Sequence, residues 1–493
     1  MTRSHEGAAS TNDRRQPTAR AAFVGLLLAS VFLGLVAWMP GGARPVVASE
    51  DLPEEPLSTP TGERPTPVPT PAGFHQARSE RVTLLTDLPS DPELDQLPEW
   101  FEQAIPQWCE YFAVASERAE SWRLRGFVVR SEDRFRQAGL WPDDLPDFLH
   151  GYQRGPQFWT REQPSAYYQR HLWLHEGTHA FMNQFLGTVG PAWLAEGLAD
   201  HLATHRIRDD QLELAVFPHD KDQFPYWGRI RLLREAVAAG RPLTVDQVAA
   251  LPPEAFQEVR GYAWSWALVT LLDQHPQTQD VFRRRVRALA ERRSPKDSRW
   301  TRGLLAELRT VAPTLDDAWF IFLDQMDYGY GIAEDVVREQ PVEPGKTRVE
   351  PAPLGSSSAV ELSARQGWQA TGWRVTKGQQ YQLRASGRYR LQEGDPPWES
   401  EAGGVTIEYH RGRPRGELLA SVRPLDASRR SLPWKSVPIG LGTEWTAELD
   451  GMLYLRVNER ADRLSDNEGS LRVEILPAEP AGKGLERPGS LNR

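Results

Sequence analysis

Cysteine is almost missing from this chain: Cys109 stands alone among 493 residues, which excludes an intrachain disulfide and leaves packing or a metal to hold the fold. An excess of charge is missing too. The formal net charge of −9, from 58 basic and 67 acidic residues, gives no electrostatic reason to expect a nucleic-acid partner. Internal repeats are missing, and long apolar runs are missing apart from the 19 residues Ala21 to Met39. What is present is ordinary for a folded protein: 40% hydrophobic and 25% charged residues, in a chain long enough for two or three domains. Tryptophan is the one excess, at 18 residues, and large core side chains are favoured over sugar platforms as its explanation.

Arg14, Arg15 and Arg20 precede the apolar run, Pro40 ends it, and Val46-Val47-Ala48 offers small residues of the kind signal peptidase accepts. The run also approaches the ~20 residues that span a bilayer. Residues 1–48 are therefore expected to be a signal peptide or an uncleaved membrane anchor whose basic side stays in the cytoplasm. Export is expected either way, to the periplasm, the exterior or the outer side of the cytoplasmic membrane. Residues 49–78 include Pro-Thr-Pro-Val-Pro-Thr-Pro and are expected to be a disordered linker.

Two globular regions follow. In residues 79–338, strand-like Arg81 to Leu85, a helix around Trp100 to Ser116 and strand-like Gly126 to Arg130 come first. Helical patterns then dominate, at Tyr168 to Phe185, Pro191 to His205, Tyr226 to Ala239, Tyr262 to Gln274, Thr278 to Arg292 and Asp316 to Met326. Strands followed by helices, without β/α alternation, predict an α+β domain. Residues 339–356 form an expected hinge. Residues 357–476 alternate, as in Tyr381-Leu383-Ala385, Val405-Ile407-Tyr409, Leu453-Leu455-Val457 and Leu471-Val473-Ile475, which predicts a β-sandwich. Residues 477–493 are expected to be a disordered tail.

The sharpest motif is His175-Glu176-Gly177-Thr178-His179. Helical residues four apart share a face, so both imidazoles can reach one metal ion, while Glu176 can address water beside it. The flanks Leu172, Trp173, Leu174, Ala180, Phe181 and Met182 are apolar, and histidines and a glutamate buried there without a partner would be costly. A catalytic zinc needs a third ligand. After a turn through Gly187 and Gly190-Pro191 comes Trp193-Leu194-Ala195-Glu196-Gly197-Leu198-Ala199-Asp200, with 16 residues separating His179 from Glu196.

This pair of helices resembles the gluzincins, the thermolysin and aminopeptidase superfamily, and within it the peptidase MA-like group. The resemblance implies a thermolysin-like zincin catalytic domain that binds Zn2+ through His175, His179 and Glu196, with Glu176 as general base toward a peptide or protein substrate. It also implies that Asp200 orients a ligand imidazole, that Tyr262 donates to the oxyanion, and that an edge strand in Gly155 to Ser165 aligns the peptide. A core tyrosine is the competing reading of Tyr262. His201 and His205 are expected on a solvated face, His171 in a structural or rim position, and Cys109 as a small buried hydrophobe. A metzincin is ruled out because Met182 and Phe185 stand where its glycine and histidine would be.

Near the C-terminus, Gly451 to Glu459 and Ser465 to Ser470 resemble the last two strands of the calcium-dependent galactophilic lectins, a galactose-binding-like sandwich. By that resemblance Glu459, Asp466 and Asn467 would ligate Ca2+, and carbohydrate would be a partner. Glu459 departs from the lectins' aspartate, and an Asp-Asn-Glu-Gly turn is also a common connection without metal. The sequence thus supports two functions: a zinc peptidase, or a surface carbohydrate-binding protein on an inactive peptidase-like scaffold.

Overall fold

The computed structural model describes residues 70–291, 298–338, 352–353, 358–392, 396–424 and 435–477. The expected signal or anchor (1–48), residues 49–69 of the expected linker, the tail beyond residue 477 and most of the hinge lie outside the described residues, while the linker's last residues, His75–Arg78, form a strand rather than a disordered spacer. Among the described residues no helix is long and apolar enough to cross a membrane.

The first region is a small sheet followed by helices. Strands β1 (His75–Arg78), β2 (Val82–Thr86), β3 (Leu124–Val129), β4 (Gly151–Arg154) and β5 (Gln157–Arg161) lie in the order β1-β2-β3-β5-β4. β2, β3 and β5 are parallel, while β1 and β4 pair antiparallel at the two edges. β3 is almost wholly buried, as its continuous apolar Phe127-Val128-Val129 requires. Helix α1 (Leu97–Phe112) and the long α2 (Ala166–Leu186) pack beside this sheet.

α2 starts where the Ser165 hydroxyl accepts from the Tyr168 N–H and stops at Gly187, whose φ of 71° favours glycine. Gly190 turns the chain into α3 (Ala192–Ala203), which lies against both α2 and α5 (Val259–Gln274), with α4 (Arg229–Ala238) between them in sequence. α3 and α5 approach closely at Gly197, where an added Cβ would sit 2.7 Å from the Ser265 carbonyl. Helices α6 (Gln279–Arg287), α7 (Ser298–Val311) and α8 (Leu315–Gln325) complete the region. α7 has no counterpart among the helices expected from the sequence.

The second region is a sandwich, as the alternation predicts. One sheet orders Gly403–His410, Arg413–Pro424, Gly451–Val457 and Gln369–Val375; the other orders Trp398–Ser400, Tyr389–Gln392, Glu468–Pro477, Gln380–Ser386 and Gly442–Thr446. Leu418, Leu453, Leu455 and Val457 from the first meet Leu383, Leu471, Val473 and Ile475 from the second in one core.

Strand Gly451–Val457 is buried along its whole length. Its other face sends Met452 and Tyr454 into an apolar cluster with Ile321 of α8, Val337 and Trp368. Two buried ion pairs flank that cluster, Asp335–Arg456 at 3.0 Å and Asp317–Arg423 at 2.6 Å. The overall class is α+β: a small sheet with helices, followed by antiparallel β-sheets.

Candidate metal centre and cleft

His175 and His179 lie one turn apart on α2, and Glu196 lies on the second turn of α3. The helix hairpin brings the three together: His175 Nε2 is 3.2 Å from Glu196 Oε2, His179 Nε2 is 3.4 Å from the same oxygen, and the two Nε2 atoms are 3.2 Å apart. Donors held 2.0–2.1 Å from a tetrahedral zinc lie about 3.3 Å from one another, so this triangle has the size of one face of such a site.

The electrostatics favour positive charge beside these carboxylates. Burial alone would lower the basicity of His175, yet the carboxylates of Asp200 and Glu196 push its pKa up to about 10. Burial would raise Glu196, yet the two imidazoles pull it down to about 2. Two imidazole nitrogens and a carboxylate oxygen crowded on one point fit a borderline divalent metal.

A second layer holds this triangle. Asp200 is fully buried on α3 and accepts from Arg229 of α4 at 2.9 and 3.0 Å. His171, one turn before His175, lies 2.6 Å from the same carboxylate with Nε2 and 3.0 Å from the Ala203 carbonyl with Nδ1. Although burial opposes its charge, Asp200 is held well below the usual carboxylate range by Arg229 and His171. Its distance to His175 Nδ1 is 3.8 Å, too long for a hydrogen bond, so it acts on that imidazole as a nearby charge.

Glu176 and Tyr262 line one cleft with the triangle, a space of about 650 Å³ whose opposite wall is the loop from Asp147 and strand β4. The Glu176 carboxyl is raised by burial, partly offset by His175 and His179. Gly151 makes room for it: a Cβ there would lie 2.3 Å from Glu176 Oε1. Tyr262 opens the cleft side of α5, its ring 5.8 Å from that of His175. Burial and then the carboxylates of Glu196 and Glu176 raise its phenol, so it keeps its proton. His150, just before Gly151, also lines the cleft, and its Nε2 is buried without a partner among the described residues.

Several expectations are corrected. The edge strand is β4, at residues 151–154; Gly155 to Ser165 instead hold a turn, the inner strand β5 and the cap of α2. The sheet order, invisible to strand propensity, decides this. His201 and His205 are buried rather than solvated. His201 lies 3.1 Å from Asp273 and 3.0 Å from Thr270, while His205 accepts from Arg170 and stacks on Tyr167. His171 is structural and fully buried, and Cys109 is buried as expected.

In the sandwich, Glu459 and Asn467 each have protein partners of their own. Glu459 is buried against Arg415, and its other oxygen accepts from the Arg460 N–H. The Asn467 amide donates to the Ala364 carbonyl. One oxygen each of Asp466 and Asn467 is buried without a donor. Calcium takes about six to eight oxygen ligands, and the Arg415 guanidinium already neutralises the Glu459 carboxylate. Among the described residues, the groups of three histidine, cysteine, aspartate or glutamate side chains that could hold a metal are His175–His179–Glu196 and the adjoining His171–His175–Asp200.

No protein-family model matches the sequence, and no curated protein matches it at a significant level. Among solved structures, the chain is similar to a PllA-like lectin described as the EclA N-terminal domain. That likeness has 21% identity and a TM-score of 0.20, and covers 24% of this chain and 95% of that one. The chain is also similar to the IMPa metallopeptidase in complex with T-antigen, at 10% identity and a TM-score of 0.16. It covers 81% of this chain but spans only 42% of that metallopeptidase's length. At these identities and scores neither likeness bears on what this chain does.

Proposed function

We propose that the chain is a zinc-dependent peptidase. The observation that carries the reading is the triangle of His175 Nε2, His179 Nε2 and Glu196 Oε2, with edges of 3.2 to 3.4 Å, opening into the cleft that Glu176 and Tyr262 line. Zinc held there lowers the pKa of water and polarises a carbonyl. The buried carboxylate of Glu176 takes the proton of the attacking water and hands it to the leaving amine as the C–N bond breaks. The protonated phenol of Tyr262 donates to the oxygen on which negative charge develops. Asp200, pinned by Arg229 and His171, fixes the field at His175. The outer edge of β4 offers backbone N–H and C=O groups to an extended peptide.

The test is metal content alongside turnover. Purified protein should carry one zinc per chain and hydrolyse an unfolded protein substrate. Glu176→Gln should retain the zinc while losing roughly 10²–10⁴-fold in rate. Turnover unchanged in that variant refutes the assigned base, and metal-free protein with full activity refutes the reading as a whole.

A further inference from the structure

Tyr262 stands in the first turn of α5, whose N-cap residue, Glu258, makes no side-chain capping bond. Close packing takes the cap's place. The short 3-10 turn Pro253–Gln257 lies against the start of the helix, and Gly261 admits it: an added Cβ there would sit 2.3 Å from the Ala255 carbonyl oxygen and 3.2 Å from Cδ1 of Phe256. Side chains on a helix lean toward its N-terminus, so the ring of Tyr262 tips back toward this turn. The Phe256 ring meets it edge-on, with centroids 5.4 Å apart and planes at 80°. The same tyrosine ring lies 5.8 Å from the ring of His175. Phe256 is half-buried and lines the cleft together with Tyr262. A tyrosine ring turns about two bonds, so its hydroxyl is only as fixed as the neighbours of the ring make it.

Resting on the peptidase reading, we infer that Phe256 is a positioning residue for the transition state: its ring edge holds the Tyr262 ring beside the metal centre, so that the phenol is in place when negative charge develops on the carbonyl oxygen. Phe256 acts on the reacting atoms only through Tyr262. Its contribution is therefore to kcat rather than to KM, because a donor to the developing oxyanion acts in the transition state and not on the bound substrate. Gly261 belongs to the same device, since a side chain there would push the turn, and Phe256 with it, off the helix.

The experiment is a double-mutant cycle on the zinc-loaded full chain, with a fluorescently labelled unfolded protein as substrate and with zinc content and melting temperature measured on each preparation. Tyr262→Phe should lose roughly 10²–10³-fold in kcat. Phe256→Ala should lose roughly tenfold in kcat while KM stays within about twofold of the parent. In the Tyr262→Phe background the same change should cost less than about twofold, because a residue that acts through the hydroxyl has nothing left to position. Phe256→Leu fills the space without a ring edge and repeats the cycle should alanine cost zinc or folding; its loss should vanish in the Tyr262→Phe background in the same way. Effects that multiply in the double variant overturn the inference and make Phe256 a wall that touches substrate or a merely structural residue. So does a kcat within about twofold of the parent in both single Phe256 variants. If Tyr262→Phe hydrolyses as fast as the parent, the assigned oxyanion donor falls and takes this inference with it, and if the zinc-loaded parent hydrolyses nothing, the peptidase reading itself falls.

Discussion

Replacing Gly151 by alanine puts a methyl carbon where the Glu176 carboxylate now sits. The added Cβ would be 2.3 Å from Oε1 and 2.8 Å from the carboxyl carbon of Glu176, whereas ordinary contacts begin at 3.4 Å, so the carboxylate must retreat by about 1 Å. Gly151 has no positive φ, so alanine meets no backbone strain and the perturbation is confined to the carboxylate. A misplacement of about 1 Å in a reacting group costs ~10²-fold in rate, equivalent to about 2.7 kcal/mol of barrier. The assay is steady-state hydrolysis with zinc stoichiometry and melting temperature measured on the same preparation. The expected variant holds its zinc, melts with the parent, keeps KM within a few-fold and loses kcat ~10²-fold. A kcat within threefold of the parent, with zinc in place, would refute the idea that Glu176 must occupy the space that this glycine clears.

Chelation should abolish activity and lower the melting temperature, since a ligand at 1,000 times its dissociation constant stabilises by about 4 kcal/mol; adding zinc back should restore both. Arg229→Met leaves the buried Asp200 carboxylate without its guanidinium, and should cost about 3–5 kcal/mol in chemical denaturation and roughly 10–100-fold in zinc affinity by competition with a chelating dye. Asp273 is buried beside Arg283 at 2.8 Å and His201 at 3.1 Å. Burial opposes its charge, but Arg283 and His201 hold it far below its ordinary value of 3.8. Because the folded value lies below the unfolded one, its contribution is complete above about pH 4 and fades as the pH falls further. Asp273→Asn should therefore cost about 3 kcal/mol at pH 7, less than a sealed pair because Arg283 reaches solvent, and the deficit should shrink when denaturation is repeated at pH 3.

The metal triangle is legible in the sequence because helix geometry is local. Four-residue spacing fixes His175 against His179 and Glu196 against Asp200, and the glycine-rich turn between the helices leaves them little choice but to face each other. The guanidinium that secures Asp200 is not legible, because Arg229 arrives from another helix 29 residues later with no periodic signal. The same holds for His201 and Asp273, whose pairing depends on α3 meeting α5. Two histidines four apart read alike whether they face water or a buried carboxylate. Alternation reveals the sandwich strands, since one face of each meets the other sheet. It hides the fact that Gly451–Val457 is covered on both faces, because Arg456 looks like a solvent residue until Asp335 is opposite it.

That double cover limits how the protein can be dissected. Asp317 and Asp335 belong to the helical half, and Arg423 and Arg456, their partners, to the β-rich half. A scissor cut between the halves would leave acidic groups on one fragment and basic groups on the other inside newly wetted apolar surfaces, beside Trp368 and Tyr454. Neither fragment is a ready-made cassette. Grafting the sandwich onto a foreign enzyme would require transplanting the two aspartates as well.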